Sequence, residues 1–145
     1  MSVEVNKDLV HRLWYGELWG KWNTGIADDL FSPGYLLHVT GSPQPVSRDV
    51  TKQLVSMFHA AFSDMTHTVE EMIAEGDTVA ARWTVRGTHD GDFQGLAPTG
   101  KSVQQTGLTV HHLMNGRIVE SWLVFDSASF LGQLAATPSP EQALA

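Results

Sequence analysis

Asp126 is the residue through which this sequence could do proton chemistry. It follows the apolar run Trp122-Leu123-Val124-Phe125, and a carboxylate pointing into so poorly solvated a wall has its pKa raised toward neutrality. A group tuned in that way exchanges protons at neutral pH. The position also suits a second role, because Asp is a strong helix N-cap and Ser127 to Leu134 reads as a helical segment. The residues alone leave both roles open.

His111 and His112 stand on the preceding segment. Neighbouring strand residues point to opposite faces, so one of the two at most shares a face with Asp126. A two-residue Asn115-Gly116 turn would pair Met114 with Arg117 and set His111, Thr109 and Gln105 on the face of Asp126 and Trp122. A three-residue Met114-Asn115-Gly116 loop closed by a glycine bulge would pair Leu113 with Arg117. His112, Val110, Leu108, Thr106 and Gln104 would then take their place. The face with Leu108, Val110, His112 and Met114 is the more apolar, and the apolar face is expected to be the concave one. The bulged turn and His112 are therefore expected, with His111 on the convex side.

Further side chains could line a cavity: Trp14, Trp22, Phe58 and Phe62 from helices, Trp83 with Val79, Ala81 and Val85 from one strand, Trp122 with Val124 from another, and Leu108 and Val110. Each is equally at home in a closed core. His38 and His89 would stand at the cavity mouth or on the surface. Five tryptophans suit a flat aromatic ligand. Seven histidines raise the question of a metal, but no two have ligand spacing on one helical face, so none is expected. With no cysteine, thiolate nucleophiles, disulfides and zinc–thiolate or iron–sulfur sites drop out together. There is no glycine-rich phosphate loop, dinucleotide fingerprint or nucleophile-elbow serine.

The elements that must hold these residues follow from periodicity. Apolar residues at Val5, Leu9, Leu13 and at Val10, Trp14, Leu18, Trp22 predict an amphipathic helix over Val3–Trp22, ended by Asn23-Thr24-Gly25. Ile26–Phe31 reads as a short helix, Ser32-Pro33-Gly34 as a break and Tyr35–Thr40 as a brief strand. Ser47 should cap a helix with Val50, Leu54, Met57, Phe58, Ala61 and Phe62 inward. Thr66–Ala74, Thr78–His89, Ser102–Met114 and Arg117–Asp126 then read as four strands. Helices followed by antiparallel strands argue an α+β fold, with helices on one face of a bent sheet.

At 145 residues this is one domain, expected over 1–136, with a frayed tail at 137–145. A net charge of −7 is a poor footprint for nucleic acid. No apolar run is long enough for a membrane span, and Met1–Val5 lacks a secretory pattern, so a cytoplasmic location is expected.

The order of elements, with Asn23-Thr24-Gly25, Phe62-Ser63-Asp64, Ala74-Glu75-Gly76-Asp77, Arg82-Trp83-Thr84, Gly87-Thr88-His89, Pro98-Thr99-Gly100 and Gly116-Arg117-Ile118-Val119-Glu120-Ser121-Trp122 through Asp126, resembles the SnoaL-like polyketide cyclases of the nuclear-transport-factor-2-like superfamily. The likeness spans almost the whole chain. It implies a cone-shaped α+β barrel, with helices on a strongly curved, mostly antiparallel sheet around a pocket. It further implies a cofactor-independent cyclase of antibiotic biosynthesis that closes a ring of an aromatic polyketide intermediate by an aldol-type step. Asp126 would be the acid/base residue and His112 its companion. An isomerase, dehydratase or epoxide hydrolase, the last using Glu120 beside Asp126, is the alternative in the same cup. A non-catalytic binding or dimerisation module is the alternative of another class. A homodimer or homotetramer is expected, formed through an apolar convex strip of Val119, Leu123 and Phe125.

Overall fold

The computed structural model describes residues 2–135; the tail expected at 137–145 lies outside them. Helix α1 (Val3–Leu9) starts at Ser2, whose hydroxyl accepts the Val5 amide hydrogen. It continues without a break into a wider, π-helical stretch, Val10–Trp19. The sequence carries the cause, because a four-residue apolar repeat overshoots the 3.6-residue α-turn and suits an under-wound helix. The helix stops at Trp19 rather than Trp22, and Trp22 has a left-handed φ of 56°.

A 3-10 turn, Thr24–Ile26, leads into α2 (Ala27–Leu30). Strand β1 (Phe31–Val39) begins earlier than expected. Ser32-Pro33-Gly34 does not end an element there. It makes an irregularity in pairing between Phe31 and Leu36, since Pro33 has no N–H for the ladder. The two-residue strand β2 (Val46–Ser47) escaped the periodicity. Ser47 then caps α3 (Arg48–Ala61) by accepting the Val50 amide hydrogen. Strands β3 (Thr66–Glu75), β4 (Thr78–Thr88), β5 (Ser102–Met114) and β6 (Arg117–Phe125), then helix α4 (Ser127–Leu134), complete the order.

The six strands lie in the order β2-β1-β6-β5-β4-β3. Every neighbouring pair is antiparallel except β1 with β6, which makes the sheet mixed. The sheet is curled without closing, and α1, the π-helical stretch, α3 and α4 fill its concave side. The result is the expected α+β cone. A cluster of Phe58, Phe62, Phe93 and Phe130 joins α3, the β4–β5 loop and α4 at its wide end, with ring centroids 5.4–6.3 Å apart.

The β5–β6 register corrects the hairpin geometry. Met114 pairs with Arg117 across a two-residue Asn115-Gly116 turn in which both residues have positive φ, the type I′ requirement. The bulge sits one step inside the strand, at Val119, between the Leu113–Ile118 and His112–Glu120 pairs. The pairs are not those expected of a bulged turn, since Leu113 meets Ile118 and not Arg117, but the sharing of faces is the same, with His112, Val110 and Leu108 on one face with Glu120, Trp122 and Val124. That face is the convex one. Leu108 and Val124 are each 51% exposed, whereas His111 and Thr109 are fully buried and Gln105 nearly so. The more apolar face is thus outside, and the polar one looks inward.

Candidate functional site

Between the helices and the concave sheet lies a cavity of about 200 Å³, partly open to solvent. Trp14, Tyr15 and Trp19 reach it from the π-helical stretch, and Leu54, Met57 and Phe58 from α3. The sheet contributes Leu37, His67, Trp83, Val85, Gln105, Thr109, Leu123 and Phe125, while Phe93, Gln94, Ser127, Phe130 and Leu131 close the wide end. Among the described residues, no carboxylate lines it.

The wall is built around Trp83. Gly107, in the middle of β5, leaves room for the indole: a Cβ there would come within 2.3 Å of Cζ2 of that ring and 2.8 Å of the Val124 carbonyl oxygen. Trp83 therefore lies across β5, and its Nε1 donates to Thr109 Oγ1 at 2.8 Å. His67, on β3, is flanked by Trp19 and Trp83, at ring-centroid distances of 5.4 and 6.3 Å. Its Nδ1 is buried without a partner. Desolvation pushes its pKa down to about 4, so the imidazole is uncharged at neutral pH.

Deeper in the cone, beneath Trp14, His111 is fully buried and its Nδ1 is 2.7 Å from Ser121 Oγ. The Trp14 ring meets it edge to face at 4.6 Å. Burial lowers its pKa to about 3. Nearby, Tyr35 is buried too, and its phenol pKa is raised by desolvation.

The candidates read from the sequence divide between the two faces of the sheet. Phe58 and Trp83 line the cavity, as does Trp14. Trp22 does not: its left-handed backbone turns the ring onto His59, stacked at 4.5 Å. Phe62 is buried in the phenylalanine cluster instead of lining the space. Leu108, Val110, Trp122 and His112 all face outward, because strand alternation follows the Val119 bulge. His38 is outside as well, stacked parallel on Trp122 at 5.1 Å with its Nε2 2.6 Å from Glu120 Oε2. Glu120 accordingly does not reach the cavity. His89 is no mouth residue either; it is fully buried, and its Nδ1 accepts the Thr99 amide hydrogen.

Asp126 takes the second of its two roles. Its Oδ1 accepts the Ser129 amide hydrogen at 2.9 Å, capping α4, and the residue is exposed. Its neighbours Phe125 and Ser127 line the cavity while it does not. The expected convex strip is corrected in the same way: Leu123 and Phe125 face the cavity, and Val119 is the bulge residue. His67, Tyr15 and Thr109 had no distinguishing motif in the sequence. The signal that could have found them is alternation on β3 and β5, where His67 and Thr109 stand at inward positions.

A family model described as SnoaL-like polyketide cyclase matches residues 9–134. Among solved structures, AclR from Streptomyces galilaeus, described as a hydroxylase candidate, is 28% identical with a TM-score of 0.84, the match covering 99% of this chain and 89% of that one. Wild-type IdmH from Streptomyces antibioticus, described as a polyketide cyclase candidate, is 31% identical with a TM-score of 0.78, over 89% of this chain and 97% of that one. A SnoaL-like protein from Jannaschia sp. CCS1, 24% identical over 93% and 94% of the two chains with a TM-score of 0.84, shares the fold. No curated protein matches the sequence.

Proposed function

We propose that this chain, which belongs to the SnoaL-like polyketide cyclase family, closes a ring of an aromatic polyketide intermediate inside the concave cavity, with His67 as the proton acceptor. The observation that carries the reading is an aromatic-walled cavity whose lining, among the described residues, holds an uncharged imidazole and no carboxylate. The resemblance to the family assigns acid/base work to Asp126 and His112. Neither lies on the concave face, and a base must come within hydrogen-bond reach of the proton it takes.

The step needs no redox partner. His67 takes a proton from a methylene group flanked by carbonyls. The resulting enolate carbon attacks a ketone carbon of the same molecule, a C–C bond forms, and the C=O π bond opens to an alkoxide. The imidazolium returns its proton to that alkoxide. A pKa of about 4 makes His67 a weak base in the free protein. An enolate formed beside it in a poorly solvated space offsets this, because the ion pair is screened far less than in water. The cavity walls supply the rest by folding the chain so that its reacting carbons meet.

Family membership supports a small-molecule substrate, and the aromatic walls support a flat, apolar one. The outer sheet face supports a second element of the reading, pairing with another copy of this chain. Its apolar stripe, Leu108 and Val124 beside Val110 and Trp122, is bordered by Arg82 on β4 and by Glu120 on β6. A two-fold axis along the strands would lay the stripe of one copy against that of the other.

Turnover of a linear aromatic poly-β-ketone by wild type and His67→Gln tests the catalytic reading. A loss of about a hundredfold or more is expected, the ordinary contribution of a positioned base. Equal rates would remove His67 from the mechanism, and binding without turnover by the wild type would make the chain a ligand-binding module.

A further inference from the structure

The apolar wall of the cavity is interrupted where Tyr15, Trp83 and Thr109 meet, and chemistry fixes the direction of the hydrogen bonds there. An indole N–H can only donate. Trp83 Nε1 lies 2.8 Å from Thr109 Oγ1, so that oxygen accepts the bond and the Thr109 proton is left to give. Tyr15, Thr109 and Trp83 line the same cavity, and Thr109 is close enough to the phenol to offset part of the effect of burial on it. In other respects Tyr15 is an orphan. Its hydroxyl is buried and makes no hydrogen bond of normal geometry.

A buried hydroxyl without a full complement of partners is costly, and native folds rarely leave one so without a use for it. If the Tyr15 oxygen receives the Thr109 proton, its own proton can go only to a group entering the cavity it lines. Each bond in such a series polarises the next, so Trp83 and Thr109 together strengthen Tyr15 as a donor. Gly107 is what allows the series to exist, since a side chain there would displace the indole. The π-helical turns complete the arrangement by presenting Tyr15 to the cavity together with Trp14 and Trp19.

We propose that Tyr15, oriented by Thr109 and Trp83, is an oxygen-binding donor that seats a ketone of the ligand and holds the negative charge that develops on it. The assignment rests on the cyclase reading above and deepens it, giving the substrate oxygen a seat on the wall that also carries His67. Donors fixed in advance where charge will develop act in this way without reorganising. The Tyr15 hydroxyl stays protonated throughout, because burial raises its pKa.

The test is the infrared carbonyl stretch of 2-acetonaphthone bound to the protein, which reports a hydrogen bond whether or not any reaction takes place. The expected result is a band moved to lower wavenumber in the wild type and in His67→Gln. In Tyr15→Phe the band returns toward its position in an apolar solvent, and affinity falls about tenfold, the ordinary effect of one lost hydrogen bond. Thr109→Val should give a smaller displacement than the wild type, and Thr109→Ser should restore it. Identical bands in the wild type and in a folded Tyr15→Phe would overturn the assignment. Should Tyr15→Phe not fold, identical bands in Thr109→Val and the wild type would overturn it as well. Absence of any binding by the wild type would overturn the aromatic-ligand reading, and the oxygen seat with it.

Discussion

Burial sets the chemistry of the histidines one at a time. His67 and His111 are held neutral by desolvation, with pKa values of about 4 and about 3 in place of 6.5. In an unfolded chain both would regain the ordinary value, so below pH 6.5 the unfolded state binds more protons than the folded one. Stability therefore rises with pH through that window and levels off above it. Thermal melts are expected to change little above pH 7 and to shift downward progressively from pH 6.5 toward 4, with His111→Phe flattening the slope. Asp28, Asp64 and Asp90, whose pKa values lie below 3.8 through Lys52, the Thr88 amide and Ser63 respectively, act at still lower pH and do not mimic the effect. A melting temperature constant from pH 7 to 4.5 would contradict the buried, neutral state of these rings.

Among elements, the strands were the most legible part of the fold. Val, Thr, Ile and Trp at period two announced β3 to β6, and Ser47 announced α3. Which face of β5 and β6 looks inward was not legible, because local pattern says which side chains alternate and not which side is covered. Leu108, Val110 and Val124 make the convex face the more apolar, whereas on the concave face Thr109 and Gln105 line the cavity and His111 is buried beneath Trp14. That exposed apolar stripe is the surface the proposed second copy would cover. Sedimentation is expected to give a dimer for the wild type and a folded monomer for Leu108→Lys/Val124→Glu. A wild-type monomer at micromolar concentration would remove the second copy from the account.

For the molecule as a whole, the family resemblance gave the cone-shaped architecture, and the structure places Asp126 and His112 outside its cavity. Asp126 illustrates why position in sequence is insufficient. The run Trp122-Leu123-Val124-Phe125 does carry cavity residues, but the alternation that sends Leu123 and Phe125 inward sends the next residue outward, to cap α4. His67, the proton acceptor proposed above, was not legible for the complementary reason: a single histidine on a strand has no spacing to give it away, and only the third dimension sets it between Trp19 and Trp83. In the proposed reaction, proton transfer happens on the concave face. Turnover by Asp126→Asn tests this most directly, since Asn preserves the helix cap while removing the carboxylate. A rate within about threefold of wild type is expected, far from the roughly hundredfold loss on removing a positioned acid/base group. A loss of a hundredfold in a variant with unchanged melting temperature would contradict it and return the chemistry to Asp126.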